Sequence, residues 1–274
     1  MVDAAGALLS EIQLGTTVST SNAYAHVTWT GSNYLASWAD QNNGGFYSLI
    51  DSGGNLLGTH NVPGSVVDNG RTVAVASNGT SLAVAWQRGS ISLAVLNTAG
   101  GVTGTVDVYT PTDTTALTLY AVAGVPAGYV VLWSLGTVTN ATYVPALNGQ
   151  PGTPTTVIAD ATHTPTLAKG NTDGVGAAFL IQYGAVGVSF GYLNGSMKNP
   201  FELSNLAPGA GLADIAGGTG GRFGLFYSQN GGFYGRQAGY AGLAGAVCSQ
   251  NSNCASGKCK AVVATGPKAY STCQ

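Results

Sequence analysis

Gln41-Asn-Asn-Gly-Gly-Phe-Tyr47 returns near the far end of the chain as Gln229-Asn-Gly-Gly-Phe-Tyr234, with the two glutamines 188 residues apart. Between them an apolar run ending in an aromatic residue recurs after a glycine-containing turn. It reads GSNYLASW to Trp38, NGTSLAVAW to Trp86, AGYVVLW to Trp133, DGVGAAF to Phe179 and GGRFGLF to Phe226. The steps are 48, 47, 46 and 47 residues, and together they span the 188. The two similar peptides are therefore the same loop in the first and fifth copies of a repeat.

Each copy reads as four short strands. A first strand (Ala25–Trp29 or Thr72–Ala76) leads through a turn into the aromatic-ended strand. A polar loop follows, then a third strand (Phe46–Ile50 or Ile91–Leu96), a turn such as DSGGN, NTAGG, LNGQ or LNGS, and a fourth strand such as Phe201–Ser204. Short apolar runs bounded by Gly, Asn and Asp are the strand and hairpin signal, and no segment offers a convincing helical period. Four strands in every 40–50 residues is the pattern of a β-propeller blade. The fifth copy has no good fourth strand, but Ala5–Leu14 aligns without a gap to Gly53–Val62. The expectation is an all-β, five-bladed propeller over residues 1–247, its last blade completed by the N-terminal strand at about 5–14. Such closure removes exposed sheet edges. A solenoid or a pair of sandwiches is the competing architecture.

Composition narrows the setting. Only 7% of the 274 residues are charged, against roughly 25% in ordinary soluble domains, while 42 are glycine. A polar surface with so little charge suits secreted and cell-surface β proteins. A net charge of −2 and the lack of a basic run speak against nucleic acid as a partner. No apolar run approaches the roughly 20 residues of a membrane helix. Met1-Val-Asp reads as an engineered start on a mature chain from which a leader has been removed.

All four cysteines, Cys248, Cys254, Cys259 and Cys273, fall in the last 27 residues. An even number crowded into one tail reads as two disulfides formed in an oxidising compartment. Their spacing differs from the paired C-x2-C of zinc ribbons. Residues 248–274 are thus expected to form a small disulfide-stapled tail, with three pairings open.

The first copy also resembles a repeat of secreted and lipoprotein-type proteins of myxobacteria and related bacteria. Tyr34, Leu35, Trp38 and Asp40 match its G-x-x-Y-L-V-x-W strand and following loop, and Phe233-Tyr-Gly-Arg236 matches its I-Y-G-x-R-V strand. The middle copies match weakly. The tail CSQNSNCASGKC is similar to short cysteine-rich C-terminal modules of secreted proteins. Both resemblances imply export, and neither implies a reaction.

Candidate chemistry is sparse. Of eleven carboxylates only Asp214 lies on an expected inner strand, whereas glycosidases need a converging pair. Asp51 and Asp173 read as hairpin residues. His26, His163 and Asp214 are a conceivable metal set at the ring axis, against the commoner packed or surface histidine. No nucleophile elbow, H-E-x-x-H or phosphate loop occurs, and no cofactor is expected. Asn78, Asn140 and Asn194 begin N-x-S/T triplets, which matter only in a glycosylating host.

Binding is the stronger expectation. In propellers the loops between strands two and three share a face with the blade-to-blade connections. That face would carry Asp40, Gln41 and Asn42, then Gln87 and Arg88, Ser134, Gln182 and Tyr183, and finally Ser228, Gln229 and Asn230. Amides, a guanidinium and aromatic rings suit a sugar. The ligand-binding set is expected to be Asp40, Gln41, Asn42, Arg88, Gln182, Tyr183, Gln229 and Asn230. Trp38, Trp86 and Trp133 stand at equivalent positions and are expected in the core. The leading function is non-catalytic glycan binding or adhesion. A self-assembling surface or appendage scaffold comes second, and a metal-dependent or glycoside-acting enzyme third.

Overall fold

The computed structural model describes residues 11–14, 25–40, 44–64, 72–125, 128–147, 149–158, 165–169, 174–181, 185–192, 201–202, 211–217, 222–229, 232–239, 247–248, 259–263 and 270–273. Among these there are 22 strands and no helix. The chain divides into two compact units, Met1–Trp133 with Val144–Pro151 and Ser134–Tyr143 with Gly152–Gln274.

The strands follow the repeat. In the first sheet β1 (His26–Trp29), β2 (Asn33–Asp40), β3 (Gly44–Asp51) and β4 (Leu56–Asn61) lie side by side in chain order. The second repeats this order with β5 (Val73–Ser77), β6 (Leu82–Arg88), β7 (Ser90–Leu96) and β8 (Val102–Tyr109). The third holds β9 (Leu117–Val125), β10 (Gly128–Leu135), β11 (Val138–Pro145) and β12 (Thr155–Ile158). The fourth holds β13 (Pro165–Lys169), β14 (Gly174–Ile181), β15 (Ala185–Tyr192) and β16 (Phe201–Glu202). The fifth sheet has three described strands, β17 (Gly211–Gly217), β18 (Arg222–Gln229) and β19 (Gly232–Gly239). Every pair with a described register is antiparallel, as short hairpin connections require. Of the segment expected to complete the last blade, Glu11–Leu14 carry no strand, and residues 5–10 lie outside the described residues.

In the first unit burial concentrates in the middle strands. β6 is buried from Leu82 to Gln87, whereas β4 is largely exposed and β1 and β8 alternate between more and less exposed residues. Middle strands covered on both faces read as continuous apolar runs, which is why LAVAW and YVVLW stand out in the sequence. Leu35, Tyr47, Leu49, Val73, Val75, Leu82, Val84, Trp86 and Leu96 form one core cluster through the first two sheets. Trp86 and Trp133 are buried as expected, while Trp38 is half-buried and stacks on Phe46 with ring centroids 5.7 Å apart.

Polar side chains tie one repeat to the next within this unit. Ser37 Oγ donates to the Val73 carbonyl at 2.7 Å, and Tyr47 OH donates to the Gly100 carbonyl at 2.9 Å. Ser81 Oγ and Tyr129 OH lie 2.6 Å apart. The turns between third and fourth strands are built alike in the first two repeats. Asp51 accepts from Asn55 N–H (2.7 Å) and Asn97 accepts from Gly101 N–H (2.9 Å). Gly54 and Gly100 occupy the left-handed position that each turn needs, with φ of 87° and 86°. Asp51 is thus the hairpin residue expected of it.

Beyond the fifth sheet, β20 (Val247–Cys248), β21 (Cys259–Val263) and β22 (Tyr270–Cys273) form a small sheet in the order β20-β22-β21. The expected tail therefore contains ordered strands. Cys248, Cys259 and Cys273 lie on them, and Cys254 lies outside the described residues.

Candidate functional site

The loops between second and third strands were the expected binding face. The described part differs from copy to copy. In the first repeat Asp40 ends β2 opposite Gly44 in β3, while Gln41 and Asn42 lie outside the described residues. In the second the loop is a single residue, Gly89 at φ 61°, because Arg88 pairs directly with Ser90. Arg88 is exposed, and its Nη1 donates to the Gly64 carbonyl at 2.7 Å, so it also pins the connection between the first two repeats.

Two neighbours expected on this face point inward instead. Gln87 is buried: its Nε2 donates to the Leu117 carbonyl, and its Oε1 accepts the Leu119 N–H at 3.1 Å. An amide that offers one donor and one acceptor can close both backbone groups of an adjacent strand, so Gln87 is a structural clamp between β6 and β9. Ser134 is buried as well. Gln182, Tyr183 and Asn230 fall outside the described residues, and Gln229 ends β18 opposite Gly232. Of the metal set suggested by the sequence, His26 lies on β1 and Asp214 on β17, whereas His163 is outside the described residues. Burial lowers the His26 pKa, favouring the neutral ring. Among the described residues no three His, Cys, Asp or Glu side chains gather as metal ligands.

Two of the three glycosylation triplets are sealed. Asn78 is buried, and its Oδ1 accepts from both N–H and hydroxyl of Thr80 and of Ser81, which makes it the anchor of the β5–β6 turn. Asn140 is buried between the Val138 carbonyl and Thr156. Asn194 lies outside the described residues.

The feature that sequence reading missed is what the repeated peptide does in its second appearance. In the first repeat three residues separate Asp40 from Gly44, and Phe46 faces Trp38. In the fifth, two residues separate Gln229 from Gly232, and the register slides so that Phe233 faces Ser228 rather than Phe226. The slide is two residues, so each side chain keeps its face of the sheet. It carries Phe233 and Tyr234 towards the hairpin tip. Phe233 is 87% exposed and Tyr234 41%, whereas Tyr47 in the first copy is buried. The Tyr234 ring lies beside the bare face of Gly232, where an added Cβ would come within 3.2 Å of it. The signal was present as the missing asparagine between QNNGGFY and QNGGFY.

Two further exposed features occupy the opposite end of the strands in the first unit. Trp29, 47% exposed, and Tyr34 close the β1–β2 turn with centroids 4.7 Å apart. A cavity of about 220 Å³ lies between β8 and the turn after β11, walled by Val106, Val144 and Pro145 and rimmed by Thr103, Thr105 and Gln150. Pockets for drug-sized ligands run to about 300–1,000 Å³, so this one is smaller than a drug-sized site.

Comparison with solved structures places this architecture. The BP39L lectin from Burkholderia pseudomallei aligns at a TM-score of 0.60 and 14% identity over 81% of this chain and 68% of its own. A lectin of Aleuria aurantia, described as a six-bladed β-propeller, aligns at 0.55 and 13% identity over 82% of this chain and 76% of its own. Hydrazine synthase of Kuenenia stuttgartiensis aligns at 0.55 and 12% identity over 89% of this chain and 75% of its own. No family model and no curated protein matches the sequence. The shared element is the fold: the chain is a β-propeller repeat protein.

Proposed function

We propose that this β-propeller is a non-catalytic glycan-binding protein, secreted or displayed at a cell surface. The observation that carries the reading is the hairpin tip of the fifth repeat, where Phe233 and Tyr234 stand exposed one rung from Gln229. The apolar face of a sugar ring stacks on an aromatic side chain, and its hydroxyls pair with amides that both donate and accept. Asn230 belongs to the same loop, and Gln41 and Asn42 beside Asp40 are its counterpart in the first repeat. Arg88 of the second repeat and Gln182 and Tyr183 of the fourth are proposed as further contacts, each in the corresponding loop of its own repeat. Two of the proteins of the same fold are lectins. A third, hydrazine synthase, shows that fold by itself does not choose a function. The finer architecture proposed is a ring of five blades closed by the N-terminal segment, with residues 248–274 as a disulfide-stapled module suited to export.

A glycan array probed with the protein and with Phe233→Ala and Gln41→Ala/Gln229→Ala variants tests this directly. A specific signal lost in the variants at unchanged melting temperature supports the reading. Silence with the parent protein, or a signal indifferent to all three substitutions, overturns it.

One observation favours a second reading, a self-assembling scaffold. The outer strands expose Leu56, Leu57 and Val102, and an exposed apolar edge strand is a template for pairing with another chain. Light scattering that finds assemblies dispersed by Leu57→Lys would support it, and a monomer at all concentrations would refute it.

A further inference from the structure

The geometry points to a second carbohydrate contact: the exposed strip of Trp29, Tyr34 and Leu56 across the first sheet takes an uncharged oligosaccharide. The inference rests on the glycan-binding reading and adds a contact at the end of these strands opposite the β2–β3 loop. Successive residues of a strand point to opposite faces, and residues directly opposed across a ladder share a face. Leu35 and Leu49 belong to the core cluster of the first two sheets, and Ser37 bonds to the Val73 carbonyl. The other face of the first sheet therefore carries Val27, Trp29, Tyr34 and Ile50. Trp29 opposes Tyr34, Tyr34 opposes Ile50, and Ile50 opposes Leu56. One rung of this face is thus apolar across all four strands.

Trp29, Tyr34 and Leu56 are exposed, and so is Val27, two residues before Trp29, at 68%; Ile50 is half-buried. Ala36 and Ser48, nearer the middle of the same face, are buried, which confines the strip to one end of the sheet. Three strand spacings of about 4.8 Å make it roughly 14 Å long, longer than one sugar ring. The β1–β2 turn fixes the aromatic pair. Thr30 N–H donates to the Asn33 carbonyl at 2.8 Å, Thr30 Oγ1 accepts the Asn33 N–H at 3.0 Å, and Gly31 supplies the left-handed residue at φ 104°. The two rings stand 4.7 Å apart at 58°, a tilted pair that packs well. A ligand settling on rings already held in place loses little to ordering them.

The chemistry of the strip selects its occupant. The chain holds no Asp, Glu, Lys or Arg from Val27 to Ala39 or from Leu56 to Asn61. Nucleic acid and anionic membrane surfaces are held by Lys and Arg, and neither stretch has one. A stable protein interface takes about 20–30 residues a side, far more than the five side chains of this strip. The turn beside the aromatic pair offers hydroxyls and an amide, from Thr30, Ser32 and Asn33. Exposed rings next to uncharged groups that donate and accept match a neutral sugar chain, whose C–H faces stack on the rings while its hydroxyls pair with the rim.

The full-length protein and its Trp29→Ala, Trp29→Phe, Phe233→Ala and Val102→Ser variants are tested against a series of neutral monosaccharides and tetrasaccharides. Trp29→Ala is expected to weaken tetrasaccharide binding about five- to tenfold and to leave monosaccharide binding intact. Trp29→Phe keeps most of the affinity, and Val102→Ser, an exposed apolar change on another sheet, keeps all of it. A second measurement reads the parent fold directly: the tetrasaccharide shields tryptophan emission from acrylamide, and the shielding disappears in Trp29→Phe. Tetrasaccharide binding that Phe233→Ala abolishes and Trp29→Ala leaves whole, without shielding, overturns this contact and leaves the glycan-binding reading standing. Silence of the parent protein across the series overturns both. Phosphatidylcholine vesicles that bind the parent but not Trp29→Ala, or dimers that Trp29→Ala dissociates, also overturn the contact and assign the strip to a membrane or to a second copy.

Discussion

At the scale of the residue, a few buried polar side chains hold successive repeats together. Gln87 satisfies the backbone at both Leu117 and Leu119, and an unpaired buried backbone group costs about 1–3 kcal/mol. Gln87→Ala is expected to lower stability by roughly 2–4 kcal/mol in chemical denaturation, while Arg88→Ala, at an exposed site, changes it by less than about 1 kcal/mol. Equal losses would mean that Gln87 is no clamp. Tyr129 gives a pH signature. Burial raises its pKa to about 12, against the opposing hydrogen bond to Ser81. The unfolded chain releases this proton near pH 10, whereas the fold keeps it until about 12. Stability is therefore intact below pH 10 and falls as pH rises from 10 towards 12. Burial raises Tyr47 in the same direction. Tyr129→Phe should flatten the alkaline decline in a melting series, and an unchanged decline would refute the assignment.

At the scale of the element, hairpin length selects what a conserved-looking peptide presents. The loss of one loop residue changes a three-residue connection into a two-residue one and slides β19 by two positions against β18. Because strand side chains alternate with a period of two, the slide keeps faces and changes height. Inserting one asparagine after Asn230 should restore the first-repeat register and bring residue 233 opposite Phe226, as Phe46 stands opposite Trp38. With Phe233→Trp as reporter, the insertion is expected to shift tryptophan emission to the blue and to abolish glycan binding; an unshifted spectrum would count against a register change. The turns are equally specific. Gly100 sits at φ 86° with the Leu49 side chain 3.2 Å from where a Cβ would stand. Gly100→Ala is thus expected to destabilise by about 1–3 kcal/mol, or roughly 2–10 °C in melting temperature, whereas Gly79→Ala meets no neighbour and carries only the backbone strain.

At the scale of the whole molecule, the repeat period, the strand count per repeat and the Asp/Asn-Gly turns were legible in the sequence. They are set by local chemistry: apolar runs long enough for a strand, and turn residues that accept left-handed backbone. The core tryptophans at positions 86 and 133 were legible for the same reason, as recurrent apolar anchors. The proposed closure of five blades by the N-terminal segment has a direct test. Removing residues 1–14 should lower the melting temperature by several degrees if that segment completes the last sheet, and an unchanged melt would argue for a different closure. What only the tertiary structure decided is which polar side chains face water. Gln87, expected on a loop, turns inward because the free edge of β9, the first strand of the next repeat, presents backbone groups beside it. The exposure of Phe233 and the cavity beside Thr105 likewise depend on register and on the approach of separate repeats. Sequence by itself determined the repeat, because strands and turns are local. The burial of polar side chains such as Gln87 was decided by packing between segments far apart in the chain.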